Sequence, residues 1–171
     1  TGGGTQPVID ELGKSLVLRL IIEQNKDVLT AFRLVADKPG FIAKLRESIT
    51  EFKVYQVGPE KLAGCAEKAA ATEHPELQAK LADLTLIYEA YERYIADKYL
   101  DSDDYLDLLA RKLHRAVLLE DAEIWVDGFH GFTPAELNVL RELFVKCRRV
   151  NVSLCLDADL LRRKLSETEL F

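Results

Sequence analysis

The first three quarters of the chain repeat apolar residues every three or four positions, which is the period of amphipathic helices. The first helix is predicted over about residues 8–24, where Leu12, Leu16 and Leu20 follow one another at intervals of four. Such spacing places the three leucines on one stripe of the helix, which Val17 and Ile21 widen, and we expect this stripe to face the core.

Four more helices are expected before residue 120. One starts at Asp37-Lys38-Pro39 and is broken by Gly58-Pro59, and a short one covers about residues 59–71. The longest is predicted over about residues 75–99, because Leu77, Leu81, Leu84, Tyr88, Tyr91 and Ile95 form a sustained apolar stripe. The acidic run Asp101-Ser102-Asp103-Asp104 caps the last of them.

After Leu119 the pattern changes to strand, loop, helix and strand. Residues 122–127 read as a short strand that includes Trp125, which we expect in the core, and residues 149–157 alternate as a second strand. Between them Thr133-Pro134-Ala135-Glu136 is a capping box that opens a helix. This order predicts a parallel βαβ unit whose sheet is incomplete or has partners outside the chain, because parallel sheets normally have more strands and two covered faces.

The fold class predicted from these patterns is mainly α with a small α/β element. We expect a helical lobe over residues 1–119 and a partial βαβ segment over residues 120–171.

Composition narrows the function classes. The 171 residues carry 23 Lys and Arg against 29 Asp and Glu, a net charge of −6, so the chain is a poor free-standing nucleic-acid binder. Contact of one local face with DNA inside a larger assembly stays open. The sequence contains no run of 18 apolar residues, so no membrane-spanning helix is predicted. The absence of Met, even at position 1, suggests a piece of a longer protein.

The three cysteines, Cys65, Cys147 and Cys155, are odd in number and lack CxxC spacing. This argues against a disulfide framework, a zinc ribbon or a complete Fe–S site, and a reducing cytoplasm fits best. The simplest interpretation of all three is that of small buried hydrophobic residues.

The strand that ends at Asp127 lies where a nucleotide hydrolase would keep its Walker B motif. Asp127 could hold Mg²⁺ through water, but Gly128 cannot serve as the second acid that activates the attacking water. The phosphate-binding loop GxxxxGK[ST] is absent from the sequence. Gly13-Lys14-Ser15 matches its end, but the motif requires a glycine at position 8, where this chain has Val8. The pair Asp127 and Gly128 is therefore interpreted as a degenerate Walker B.

Two sequence blocks resemble known helicase-related families. The segment Asp103-Asp104-Tyr105-Leu106-Asp107-Leu108-Leu109 is similar to one that UvrD-type superfamily I helicases carry before their Walker B strand. The run from Asp127-Gly128-Phe129 through Phe132-Thr133-Pro134 to Glu136 resembles the AddB subunits of the AddAB helicase–nuclease. Two upstream stretches, Pro39-Gly40-Phe41-Ile42 and Glu51-Phe52-Lys53-Val54-Tyr55, are similar to the same family.

The resemblance implies the helicase-like, non-motor N-terminal region of an AddB subunit, with an AddA-type subunit as the motor. Such a region is implicated in scanning single-stranded DNA for the Chi sequence during recombinational double-strand-break repair, and single-stranded or duplex DNA would be present in the assembled complex. Residues 1–119 would be the helical insert of a superfamily I helicase-like domain, and residues 120–171 would begin a RecA-like sheet. No cofactor is expected in this segment, whereas ATP, Mg²⁺ and a 4Fe–4S cluster are implied for the parent family outside this chain.

The candidate DNA-binding residues are Phe129, His130, Phe132, Arg162 and Arg163. The two phenylalanines could stack on bases, or they could simply pack under the loop. His130 could touch phosphate or be an exposed loop residue, and the two arginines could contact phosphate or form a solvated face.

Two other functions stay open from the sequence. One is an active P-loop NTPase fragment whose phosphate-binding loop lies outside this chain. The other is a helical protein–protein scaffold without a DNA role, which the net negative charge and the few basic clusters favour.

Overall fold

A computed structural model describes residues 6–154 of the chain. These residues form β1 (Val8–Ile9), α1 (Glu11–Asn25), α2 (Phe41–Val54), α3 (Pro59–Ala71), α4 (Pro75–Ile95), β2 (Leu100–Asp101), α5 (Tyr105–Leu113), β3 (Glu123–Phe129), α6 (Pro134–Lys146) and β4 (Arg149–Leu154). Single 3₁₀ turns cover Ser102–Asp104 and Val117–Leu119. The fold is mainly helical with small parallel sheets, as the sequence predicts.

The chain divides into two compact units, residues 1–108 and residues 109–171. The assignment of a helical lobe to residues 1–119 and a βαβ segment to residues 120–171 stays a prediction. Within the described residues, no helix combines the length and the apolar character needed to cross a membrane.

The helix boundaries follow from local chemistry. Proline occupies the first position of α3, α4 and α6, where its missing N–H costs nothing. Asp97, which follows α4, takes a left-handed backbone with φ of 62°. The helix has already ended at Ala96, whose ψ of 135° is not helical, so the predicted extension of α4 to residue 99 is wrong. Leu100–Asp101 form a strand parallel to Val8–Ile9.

The core of the first unit lies between α1, α2 and α4. Its largest fully buried apolar side chains are Leu18 and Ile22 of α1 and Ile87 and Tyr91 of α4. The predicted stripe of α4 is confirmed for Tyr88, Tyr91 and Ile95, which are buried, and Leu81 and Leu84 are partly buried against the core, but Leu77 is 49% exposed. On α2, Leu45 and Ile49 are buried.

The prediction for α1 is wrong for the three leucines and right for Val17 and Ile21. Leu12, Leu16 and Leu20 are exposed, and the helix buries Val17, Leu18, Ile21 and Ile22. Both faces of α1 are apolar, so the leucine spacing alone did not reveal which face packs inward.

The segment between α1 and α2 has no regular structure but is anchored by one carboxylate. Asp83 of α4 is buried and accepts hydrogen bonds from the backbone N–H groups of Thr30, at 3.0 and 3.1 Å, and of Phe32, at 2.8 Å. These contacts hold Leu29 and Ala36 in the core.

In the second unit, β3 and β4 pair in parallel and α6 connects them, which confirms the predicted βαβ order. Thr133 and Glu136 form the predicted capping box, in which the Glu136 carboxylate accepts the Thr133 N–H at 2.7 Å. The expectation that Trp125 lies in the core is wrong, because its side chain is 75% exposed.

We expect Asp83→Ala to lower the free energy of unfolding by about 2 kcal/mol, because two backbone N–H groups lose their acceptor. Urea unfolding followed by circular dichroism measures the loss. Asp27→Ala is the control, since Asp27 is exposed and its replacement should change stability by less than about 0.5 kcal/mol. Equal losses in the two variants would contradict the anchoring role.

Candidate functional site

The strand end that carries the candidate residues is irregular. Val126 of β3 pairs with Val152 of β4, and the next pair joins Phe129 to Leu154, so Asp127 and Gly128 form a bulge. Gly128 has a φ of 83°, a left-handed backbone that favours glycine. A Cβ at this position would meet nothing within 4 Å, so the backbone conformation, not lack of space, makes other residues unfavourable.

The strand end does not fit a metal–nucleotide site. Asp127 is exposed, and the described residues contain no group of three or more His, Cys, Asp or Glu side chains that could hold a metal ion. Nothing at Gly128 could accept a proton from water. We therefore derive no step through ATP or Mg²⁺ at this position.

The two candidate aromatic residues lie together. The rings of Phe129 and Phe132 stack with their centroids 5.0 Å apart and their planes at 28°, and Phe129 is 38% exposed. The two rings therefore pack on each other while Phe129 still reaches solvent, and stacking on bases stays a prediction. His130 is exposed on the loop between them, and Arg162 and Arg163 lie outside the described residues.

Lys14 is not available to phosphate. Its side chain is 2% exposed, and its Nζ lies 2.7 Å from Asp101 Oδ1 and 2.9 Å from Asp103 Oδ2. Both of these contacts hold the ammonium group inside the protein. Gly13-Lys14-Ser15 therefore resembles the end of a phosphate-binding loop in sequence but not in structure.

Asp101 is the centre of a buried ionic cluster in the first unit. Its carboxylate accepts hydrogen bonds from Lys14, from Lys53 Nζ at 3.0 Å, from the Tyr91 hydroxyl at 2.9 Å and from the Asp103 backbone N–H at 3.0 Å. We call the cluster the Asp101 network; its members are Lys14, Thr50, Lys53, Tyr91, Glu92, Asp101, Asp103 and Asp104.

Lys53 connects the network to the remaining carboxylates. Its buried Nζ lies 2.7 Å from Asp104 Oδ2 and 2.9 Å from Glu92 Oε1 in addition to Asp101. Two of the three N–H donors of its ammonium group bond to acceptors, on Asp101 and Asp104, whereas Glu92 Oε1 contacts the ammonium group as an ion pair without a well-aligned hydrogen bond. The cluster thereby ties α1, α2 and α4 to the acidic segment that leads into α5.

The carboxylates respond differently to this environment. Burial alone would raise the pKa of Asp101, but the hydrogen bond from Lys14 and the charge of Lys53 lower it to about 2. Burial raises the pKa of Glu92 and of Asp104 above their usual ranges, although Lys53 opposes the shift in both. Four carboxylates share two ammonium groups, and Asp101, which contacts both, keeps its charge most firmly.

Sequence reasoning singled out the acidic segment but missed its two lysine partners. A signal for them was present, because Lys53 lies four residues after the buried Ile49, and Lys14 lies three and four residues before the buried Val17 and Leu18. A lysine on the buried stripe of a helix needs a carboxylate partner. The sequence could not show which carboxylate, since Asp101 lies 48 residues from Lys53 along the chain and farther still from Lys14.

Comparison with known proteins identifies the family of the chain. The family model described as "ADDB, N-terminal" matches residues 1–171. The chain belongs to this family. It is 45% identical to the B subunit of the ATP-dependent helicase/deoxyribonuclease of Moorella thermoacetica over 99% of the chain, and 39% identical to the protein of the same name from Bacillus cereus over 99%.

The corresponding protein of Heliobacterium modesticaldum is 45% identical over 91% of the chain. In each case the match is to a small part of a long protein. The chain spans 15% of the Moorella and Bacillus proteins and 13% of the Heliobacterium protein. The resemblance to AddB subunits seen in the sequence is thus confirmed as family membership.

We expect Asp101→Asn to flatten the acid dependence of this AddB segment. The pKa of Asp101 is about 3.8 unfolded and about 2 folded, so its contribution to stability is present above pH 4 and is lost as the pH falls toward 2. Between about pH 4 and pH 2 the unaltered chain should lose about 2 kcal/mol more stability than the variant.

Urea unfolding at several pH values, followed by circular dichroism, measures this difference. Asp27→Asn, a change of the same chemistry on the surface, should leave the acid dependence as it is in the unaltered chain. Parallel acid dependences for the unaltered chain and Asp101→Asn would show that Asp101 does not hold its charge through the two lysines.

We expect Gly128→Ala to destabilise the second unit by about 1 kcal/mol, because a Cβ is unfavourable in the left-handed region. Gly131→Ala is the matched control, since Gly131 lies in the same loop without a left-handed φ and also has open space around it. Unfolding followed by the fluorescence of Trp125, the one tryptophan of the chain, reports on β3. A loss at Gly131 as large as that at Gly128 would contradict the backbone argument.

Proposed function

We propose that this chain is a non-motor, helicase-like segment of an AddB-type subunit that acts in recombinational double-strand-break repair. An AddA-type motor subunit is its partner, and the names of the relatives, which describe them as subunits, support assembly into a complex. The observation that carries the proposal is the left-handed backbone of Gly128, which suits glycine. With β3 interpreted as a degenerate Walker B strand, this glycine stands where a hydrolase would keep its catalytic acid.

The same strand end supports a role in contacting single-stranded DNA. Every base has a π-face, so an aromatic platform binds a strand without demanding a particular sequence. Phe129 and Phe132 form such a platform, and His130 lies between them. Movement along a strand in search of Chi requires contacts that any base can make, and stacking meets this requirement.

The charge of the chain is consistent with a contact limited to one face. With a net charge of −6, little affinity can come from neutralising phosphates over the whole surface. The proposal therefore assigns the contact to stacking at residues 129–132, together with whatever positive charge Arg162 and Arg163 contribute. The nuclease and motor activities are assigned to other parts of the complex.

An active nucleotide site in this segment has less support. The lysine that would suit phosphate is bound by Asp101 and Asp103, and the position of the catalytic acid holds glycine. A helical scaffold without DNA contact is the remaining competitor, and the experiment below separates the two.

We expect the double variant Phe129→Ala and Phe132→Ala, made in the full-length subunit within its complex, to bind single-stranded DNA about tenfold more weakly, because stacking contributes about 1–3 kcal/mol per base. Fluorescence anisotropy with a labelled oligothymidine measures the affinity. Phe144→Ala is the matched control, as it removes another exposed phenylalanine of the second unit, 57% exposed on α6.

Unchanged affinity in the double variant, with unchanged stability of the complex, would favour the scaffold. Equal weakening by Phe144→Ala would show that the loss is not specific to the strand end.

A further inference from the structure

The outer face of α1 exposes an apolar stripe that the fold of the first unit does not use. Leu12, Leu16 and Leu20 are 66%, 62% and 40% exposed. The opposite face of the helix already supplies Val17, Leu18, Ile21 and Ile22 to the core. The stripe is therefore additional apolar surface on a helix whose position is fixed by other contacts.

The stripe continues into a groove of about 410 Å³ beside β1. Val8, Gly13, Leu16, Tyr94 and Tyr99 are among its lining residues. Its charged lining residue, Asp10, accepts the Gly13 N–H at 2.7 Å as the cap of α1. The described lining combines the apolar side chains of Val8 and Leu16 with the phenol groups of Tyr94 and Tyr99. Because the charged group among these lining residues is the Asp10 carboxylate, the groove suits an uncharged side chain and not a phosphate.

The spacing of the stripe favours a helix as its occupant. Residues four apart form the ridges that interlock when two helices pack, and Leu12, Leu16 and Leu20 are one such ridge. A side chain from the second helix could enter the groove next to Leu16. The groove and the stripe both lie in residues 1–108.

We propose that the stripe and groove are covered by an apolar helix from another part of the same AddB polypeptide. This inference rests on the proposed function, since it takes the chain as a segment of a full-length subunit. The matched relatives carry more than four fifths of their length outside the matched region. A segment on the same polypeptide has a high effective concentration and avoids the entropy cost of bringing two molecules together, which favours it over a separate partner.

The test places p-benzoylphenylalanine at position 16 of the full-length subunit and irradiates it, both alone and in the assembled complex. We expect a crosslink within the subunit, seen as altered gel mobility without added mass. Peptide mass spectrometry should connect the α1 peptide to a peptide outside the region matched here. The same photoreactive residue at Glu89, which is exposed on α4, is the control and should give no defined crosslink.

A crosslink to the motor subunit, to a second copy of the AddB polypeptide or to DNA would overturn the proposal. So would the absence of any crosslink at position 16. A crosslink to a residue inside the matched region would also overturn it.

A second measurement checks the same surface without a photoreactive group. In the full-length subunit, Leu16→Lys should lower the melting temperature, and Leu16→Met, which keeps the apolar volume, should restore it. Equal melting temperatures for the three proteins would count against a covered surface. Failure of this inference can be told apart from failure of the proposed function, because the proposed function is tested separately by the DNA affinity of the Phe129 and Phe132 double variant.

Discussion

The carboxylate of Asp101 is the contact on which the first unit depends. Two lysines, a tyrosine hydroxyl and a backbone N–H converge on it inside the protein. Removing an ammonium group from water costs several kcal/mol, so a buried pair is tolerated only when the remaining donors also find acceptors. Asp103 and Asp104 supply further acceptors, and Glu92 adds a charge 2.9 Å from Lys53 without a well-aligned hydrogen bond. A shift of α1 or α2 would therefore leave a buried lysine without its carboxylate partners.

The Asp101 network accounts for the position of the acidic segment that leads into α5. Its acids fix where α5 starts relative to α1, α2 and α4, and a fold that keeps this junction must keep the acids and their lysines together. The AddB family relationship, which covers all 171 residues, is consistent with such a shared framework. The sequence around Lys14 then reflects the framework, not a phosphate site.

Much of the fold was predictable from local pattern. The α3 boundaries, the capping box of α6 and the order of the βαβ unit depend on neighbouring residues, and all three were predicted correctly. The errors involve choices that local pattern does not determine. Two apolar faces compete on α1, and the exposure of Trp125 depends on what covers the strand. The helical spacing of Lys14 and Lys53 is a local signal, but the carboxylate that they share comes from a distant part of the chain, so no local pattern could identify it.

The strand end is governed by a backbone constraint. The bulge gives Gly128 a φ of 83°, a conformation that disfavours any side chain. The bulge separates the pair at Val126 from the pair at Phe129, and the ring of Phe129 stacks on that of Phe132 immediately beyond it. The proposed contact with bases rests on this aromatic pair, so the feature that would bind a strand follows from one irregularity in the pairing of β3.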